Sequence, residues 1–420
     1  MKIRTLTLVA IGCAAVLLTS GIANAQFSKG PFLVNVWDRG VTVKWEDNAG
    51  SGSVEYGLTQ QLGSVLPSEV QSGVHSVDLR CLEPNSLYYY RALSGENSSP
   101  IYTFYTGVGV EEPFMFVAFG DNRTNADDHQ AVVDAIALQS PDFLINTGDY
   151  VEIGFSAGDW RSWFDVEQAL IAQTAMAGVM GNHELWGGRP YFDKYFSHPA
   201  STPEPSMYAF HYGNTQFIAI DVTRPYTAGS AQYQFIEQTL AQAVDNPQCK
   251  HIMPFLHISP YSASNHGDDW DSLSIREHLT PLFEAYDVDM VFAGHDHNYE
   301  HGLVNDVNYI VTGGGGAPLY GNGSDYWTVV SEKTLNYVKV EIDGAAVNYT
   351  AFRPDGTLIE QFSYEHDAGG AGVPGMEWPE PCDDDDDDDD DDIDDDDDDD
   401  DDDDSAGDDD DDDDDSGCCG

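Results

Sequence analysis

The chain has 420 residues, 41% hydrophobic and 12% aromatic, enough to bury a large core and to build more than one domain. Its formal net charge is −58; the 29 aspartates after Cys382 carry half of it, and the remainder of the chain is still strongly acidic. A surface of that sign repels nucleic acid and anionic membrane, which excludes both as expected partners.

At the N-terminus, Lys2 and Arg4 precede an apolar run from Leu6 to Leu18, and Ala23-Asn24-Ala25 follows as a small-residue cleavage pattern. Residues 1–25 therefore read as a signal peptide, and the protein as exported to a periplasm, a cell surface or the medium. The run is too short for a membrane span, and no later segment is long and apolar enough for one. Export implies a compartment that permits disulfides. The cysteines beyond the leader (Cys81, Cys249, Cys382, Cys418 and Cys419) are odd in number and match no zinc spacing, so no pairing follows.

Residues 26–108 read as a small all-β domain. Val41 to Trp45 alternates with period two, Val54 to Leu58 is a second short strand, and His75 to Leu79 leads to a tyrosine-rich strand ending at Arg91. Turn residues between these segments suggest a sandwich. From residue 112 to 364 the pattern changes. Phe114 to Phe119 is a continuous apolar strand, Asp128 to Leu138 has helical spacing, Asp142 to Asn146 is a strand, and Trp160 to Thr174 is helical again. Such alternation predicts an α/β domain with parallel pairing. Strands over Ser206–Val222 and Asn308–Phe362 add a sheet-on-sheet core with flanking helices. Residues 365–420 read as a disordered tail. Its aspartates repel one another and bury nothing, and it has at most weak affinity for Ca²⁺.

Each strand of the α/β domain that ends at a glycine or a polar turn delivers a polar side chain. The strand ends carry Gly120-Asp121-Asn122-Arg123, Gly148-Asp149-Tyr150-Val151-Glu152, Gly181-Asn182-His183-Glu184, His257, and Gly294-His295-Asp296-His297. Repeated strand-end ligands predict convergence on one crevice. His295 and His297, two apart in extended chain, point the same way, and Gly294 reads as the turn that releases them. Asp121, Asp149, Asn182, His257, His295 and His297 mix oxygen and imidazole donors, a set that suits Zn, Fe or Mn and not Ca. Gly313 to Gly316 lacks the lysine and the following helix of a phosphate loop and reads as a tight turn. His251 reads as structural, and His266 as a loop residue that either reaches substrate or is solvated.

This order of motifs, from about Phe114 to Tyr320, resembles the calcineurin-like metallophosphoesterases. The fibronectin type III-like N-terminal sandwich, the Gly294 to Glu300 stretch and Tyr309 to Pro318 are similar to the purple acid phosphatase branch. The resemblance implies two metal ions bridged by Asp149. Asp121 and His297 would complete the first site, and Asn182, His257 and His295 the second. It implies hydrolysis of phosphate monoesters by a metal-bound hydroxide, with His183 protonating the leaving oxygen. A phosphodiesterase of the same superfamily is the alternative, and an inactive surface binding protein the reading from another class. Where relatives carry a further first-site ligand, this chain has Arg123 and Glu152. Arginine has no lone pair for a metal, so Arg123 is assigned to a phosphate oxygen and Glu152 to orienting His183. The vacant place falls to water or to His129, which otherwise reads as a surface histidine. His301, where relatives commonly have Arg, has no assigned role.

Overall fold

The computed structural model describes residues 27–37, 39–196 and 206–366. The expected leader lies outside the described residues, as does the tail from residue 367 on. Glu365 and His366, read from the sequence as the start of that tail, are instead ordered, Glu365 as the last residue of the final strand.

The chain opens with short strands: β1 (Lys29–Trp37), β2 (Gly40–Glu46), β3 (Gly52–Gly57), β4 (Ser64–Pro67), β5 (Glu69–Gln71), β6 (Val74–Leu79), β7 (Leu87–Ser94), β8 (Asn97–Ser98) and β9 (Tyr102–Tyr105). Alternation is regular in β7, whose even-numbered residues Tyr88, Tyr90, Ala92 and Ser94 are buried. An α/β region follows with β10 (Phe114–Phe119), α1 (Ala126–Ala137), β11 (Phe143–Asn146), α2 (Ala157–Ile171), β12 (Ala175–Gly178), α3 (Phe192–Phe196), β13 (Tyr208–Tyr212), β14 (Thr215–Ile220), α4 (Ala231–Asp245), β15 (His251–Ile258), α5 (Trp270–His278), α6 (Thr280–Ala285) and β16 (Met290–Gly294). It closes with β17 (Tyr299–Val304), β18 (Val307–Thr312), β19 (Thr328–Glu332), β20 (Tyr337–Asp343), β21 (Ala346–Phe352) and β22 (Leu358–Glu365). The long helices begin at side-chain caps: Asn125, Ser156 and Ser230 accept from the amides of Asp128, Asp159 and Tyr233. Each such cap contributes about 1 kcal/mol.

Two large sheets pack face to face. One runs β22-β21-β20-β10-β11-β12-β1-β2-β6-β5, the other β13-β14-β15-β16-β18-β17-β19. In the first, β10, β11, β12 and β1 are parallel; in the second, β14, β15, β16 and β18 are. The strands at the middle of these sheets are almost wholly buried, which explains why their sequences are mostly apolar on both faces. Phe116 projects between the layers and meets Phe217 and Phe292 edge-on, with ring centroids 5.2 Å and 5.5 Å away. The remaining strands of the first segment form a third sheet, β4-β3-β7-β8, with β9 on β7.

The N-terminal strands share the ladder of the α/β region. β1 pairs in parallel with β12, with Val34 opposite Met176, so hydrogen bonding runs across the line drawn at residues 108–112. One contiguous buried cluster joins Trp45, Tyr90 and Phe104 to Phe116, Phe217 and Phe292. Polar links follow the same path. Gln168 of α2 accepts from the Gly30 amide at 3.0 Å and donates to the Pro31 carbonyl at 2.8 Å. Glu46 takes Lys194 at 2.7 Å and the Tyr195 hydroxyl at 2.7 Å.

A chain that begins at residue 110 strips β1 from β12 and leaves these groups unpaired. It is expected to be insoluble or to melt roughly 10 °C lower, as a loss of about 3 kcal/mol does at this size. An unchanged melting temperature for that fragment would show that the shared ladder stabilises nothing.

Candidate metal centre

The crevice lies at the carboxyl ends of the central strands of both sheets. The first sheet supplies Asp121 after β10, Asp149 after β11 and Asn182 after β12; the second supplies His257 in β15 and His295 and His297 after β16. All six sequence-identified donors are brought to this one region.

The loops that carry them are tight. Asp121, Asp149 and His295 have φ of 58°, 57° and 70°. Each such backbone costs about 1–3 kcal/mol and persists only where neighbours over-determine it. The neighbours are present. The Asp121 amide donates to the Gly148 carbonyl at 2.9 Å, and the His295 amide donates to the two Asp121 oxygens at 3.2 Å and 3.0 Å. Gly294 is not a turn, as its place before the histidines suggested. It is the last residue of β16, and a Cβ there would stand 2.2 Å from Asp121 Oδ2. Glycine is needed for close approach of the second sheet to a carboxylate of the first.

The imidazoles are oriented by main-chain acceptors. His257 Nδ1 donates to the Thr147 carbonyl at 2.8 Å, and His297 Nδ1 donates to the Pro318 carbonyl at 2.8 Å. Each Nε2 is thereby turned inward, that of His257 to 3.3 Å from Asp149 Oδ1 and 3.0 Å from Asn182 Oδ1, that of His297 to 3.5 Å from Asp121 Oδ1. Nitrogen lone pairs facing carboxylate oxygens repel unless a positive charge lies between them. Burial works against a charged His297, yet the hydrogen bond and charge of Asp121 raise its pKa on balance. Burial, then His257 and His266, push His295 down to about 2, which keeps its imidazole neutral and its lone pair free. Donor atoms of Asp121, Asp149 and His297 lie within 4.8 Å of one another. Carboxylates, an amide oxygen and imidazoles held by their far nitrogens fit a pair of transition-metal ions.

His183 and its surroundings differ in part from expectation. The His183 amide donates to Asp149 Oδ1 at 3.1 Å, and its Nε2 stands 3.8 Å from Asp149 Oδ2. Its Nδ1 donates to the main-chain carbonyl of Glu152 at 2.7 Å. Glu152 thus holds His183 through the backbone and not through its carboxylate. The carboxylate is taken by a permanent cation and a hydroxyl: Arg123 Nη1 and Thr124 Oγ1 both donate to Oε2 at 2.6 Å. Arg123 also donates from Nε to Asp149 Oδ2 at 3.3 Å, and its Nη2 is 3.4 Å from His297 Nε2. Arg123 therefore sits on the inner carboxylates at the rim of the centre. His129 is neither on the surface nor turned to the metal donors. It is buried between α1 and α2, with Nε2 2.8 Å from Glu167 Oε1.

His266 packs its ring against His295 at 4.4 Å and pairs with Asp269 at 2.7 Å, which places it at the mouth of the crevice. His301 is buried under β22, with Nδ1 3.0 Å from Glu360 and Nε2 3.0 Å from the Asn308 side-chain oxygen. Asp296 faces the other way from the donors and braces the 262–266 loop, accepting from Ser262 Oγ at 2.6 Å and the His266 amide at 3.1 Å.

Three residues escaped the sequence. Tyr320 stacks on His297 with ring centroids 4.0 Å apart. Trp186 stacks on His183 at 5.2 Å and is half exposed. Glu184 is buried and accepts the amides of Asp149 and Gly181, each at 2.9 Å, and of Val151 at 3.2 Å. Only Glu184 carried a signal, an acidic residue directly after the Asn182-His183 pair. Burial, and next the nearby Asp149, push its carboxyl up to about 8, against the pull of the three amides.

Residues 114–299 match the family model described as calcineurin-like phosphoesterase. An uncharacterized protein of Mycobacterium tuberculosis is 26% identical over 313 residues, covering 62% of this chain and 59% of its own length. A probable purple acid phosphatase of Arabidopsis thaliana is 25% identical over 273 residues, covering 62% of this chain and 61% of its own. The chain thus spans about three fifths of the length of these relatives. Among solved structures, the purple acid phosphatase from yellow lupin (Lupinus luteus) seeds superposes with a TM-score of 0.72 at 20% identity, covering 80% of this chain and 74% of that one.

Glu184→Ala leaves three buried amides without an acceptor, at about 1–3 kcal/mol each. The variant is expected to melt lower and to lose bound metal, while Glu184→Gln, which keeps an acceptor, loses less. Calorimetry and metal analysis check this; an Ala variant equal to wild type in both would remove the bracing role.

Proposed function

Because the chain belongs to the calcineurin-like metallophosphoesterases, in their purple acid phosphatase-like branch, we propose that it is an exported hydrolase of phosphate monoesters. The observation that carries this reading is the convergence of six donors from two sheets, with the far nitrogens of His257 and His297 tied to main-chain carbonyls. Asp121, Asp149 and His297 would hold one ion, and Asp149, Asn182, His257 and His295 the other; Zn, Fe and Mn all suit these donors. When bound, such a pair supplies Lewis-acid stabilisation of phosphoryl charge and lowers the pKa of water.

The chain's own residues supply the rest. His183 delivers a proton to the leaving oxygen from Nε2, since its Nδ1 is committed to the Glu152 carbonyl. Arg123 holds Asp149 in place from one side, and the guanidinium N–H groups left over from Asp149 and Glu152 would donate to a phosphoryl oxygen. Tyr320 keeps the His297 ring flat against its own. The charged and apolar pattern of residues 1–25 supports export.

The test is hydrolysis of p-nitrophenyl phosphate and its bis-ester side by side, with Zn²⁺, Mn²⁺ and Fe. The monoester is expected to be preferred, and His183→Ala to lower kcat by about 10²–10⁴ with metal content unchanged. Preference for the diester would make the protein a phosphodiesterase. Absence of hydrolysis with every metal would contradict an enzyme of either kind.

A further inference from the structure

A second group of metal-binding side chains lies at the other end of the same strands. His251 opens β15 and Asp289 directly precedes β16, while His257 and His295 stand at the catalytic ends of those strands. Six residues of strand separate His251 from His257, about 20 Å. His366 follows β22 and completes the group; its amide donates to the Ala345 carbonyl at 2.8 Å.

The three side chains meet at one carboxylate oxygen. Asp289 Oδ2 is fixed by the Ile252 amide at 2.8 Å. Oδ1 is left facing His251 Nδ1 at 2.9 Å and His366 Nδ1 at 2.7 Å. His251 Nε2 lies 2.9 Å from the Gly344 carbonyl and must donate to it. A neutral imidazole has only one N–H, so with the ring neutral His251 Nδ1 turns a lone pair toward Asp289, and the 2.9 Å contact is a hydrogen bond only when the ring carries a second proton. His366 Nδ1 is buried and makes no hydrogen bond, although Oδ1 is so near. The other nitrogen of His366 is 3.4 Å from Asp287 Oδ2. Ligating histidines are typically held in this way, one ring nitrogen on a carbonyl or carboxylate and the other on the ion.

We propose that His251, Asp289 and His366 bind a divalent ion of the zinc class, separate from the catalytic pair, that fastens the end of β22 to the base of the second sheet. Two imidazoles and one carboxylate are a zinc donor set, with water as the fourth ligand. Bonds of about 2.0–2.1 Å would space the donor atoms about 3.3 Å apart, a few tenths of an ångström wider than here. His366 is only partly buried and stands at a strand end, so it can supply that movement. A buried carboxylate shared by two histidines otherwise needs extra protons on the rings to be stable; the ion replaces them.

The full-length chain and its His366→Gln variant are stripped with chelator, reloaded with Zn²⁺, desalted and analysed for metal. The wild type is expected to retain one zinc per chain more than the variant, and its Zn²⁺-dependent rise in melting temperature should be larger. Both chains carry the same aspartates, so metal held there cancels. His251→Gln, with circular dichroism as the check on folding, is expected to give the same deficit as His366→Gln. In an Asp149→Asn, His257→Ala background the extra zinc is expected to remain, which separates this site from the catalytic one. Equal zinc content and equal melting response in wild type and both variants would overturn the proposal and leave the cluster a protonated histidine–carboxylate triad.

Discussion

The six candidate donors come together only when two sheets are held face to face at a fixed separation. The carboxylates and the amide come from the ends of β10, β11 and β12, and the imidazoles from β15 and β16. No single sheet offers more than half of the set. The spacing is set by rings: Phe116 and Phe143 of one layer meet Phe217 of the other edge-on, at 5.2 Å each. Replacing such a ring with alanine leaves a cavity worth about 3–5 kcal/mol, and the same change lets the layers shift at the site. Stability and metal geometry are therefore coupled through the interlayer core.

Above that core, hydrogen bonds across the layers refine the geometry. His257 reaches from the second sheet to the Thr147 carbonyl of the first, and Asp121 reaches back to the His295 amide. Glu184 gathers the amides of Asp149, Val151 and Gly181, so two neighbouring strand-end loops of the first sheet share one buried acceptor. The left-handed backbone of Asp121, Asp149 and His295 is tolerated because these bonds hold the loops in place.

Much of this was legible before the fold was known. A short apolar run of strand length that stops at a glycine and a polar residue reads as a buried strand ending at a site, and several such runs share a crevice when the strands are parallel. What was not legible follows from physics that one chain position does not display. Gly294 read as a turn because its neighbour across the crevice, Asp121 Oδ2, is 173 positions away in the sequence. His129 read as exposed because its partner Glu167 sits on the next helix. Glu152 was assigned by its carboxylate, but Arg123 competes for that group and leaves the carbonyl to His183. The parallel pairing of β1 with β12 joins segments about 140 residues apart, a register no local pattern encodes.

The central claim is that Asp149 stands between two ions. Anomalous diffraction from crystals of the full chain, recorded at the Zn, Fe and Mn edges, tests it most directly. The account predicts two peaks about 3.5–4 Å apart, both within bonding distance of the Asp149 carboxylate. A single peak, or Arg123 occupying the place of the first ion in crystals soaked with metal, would contradict it.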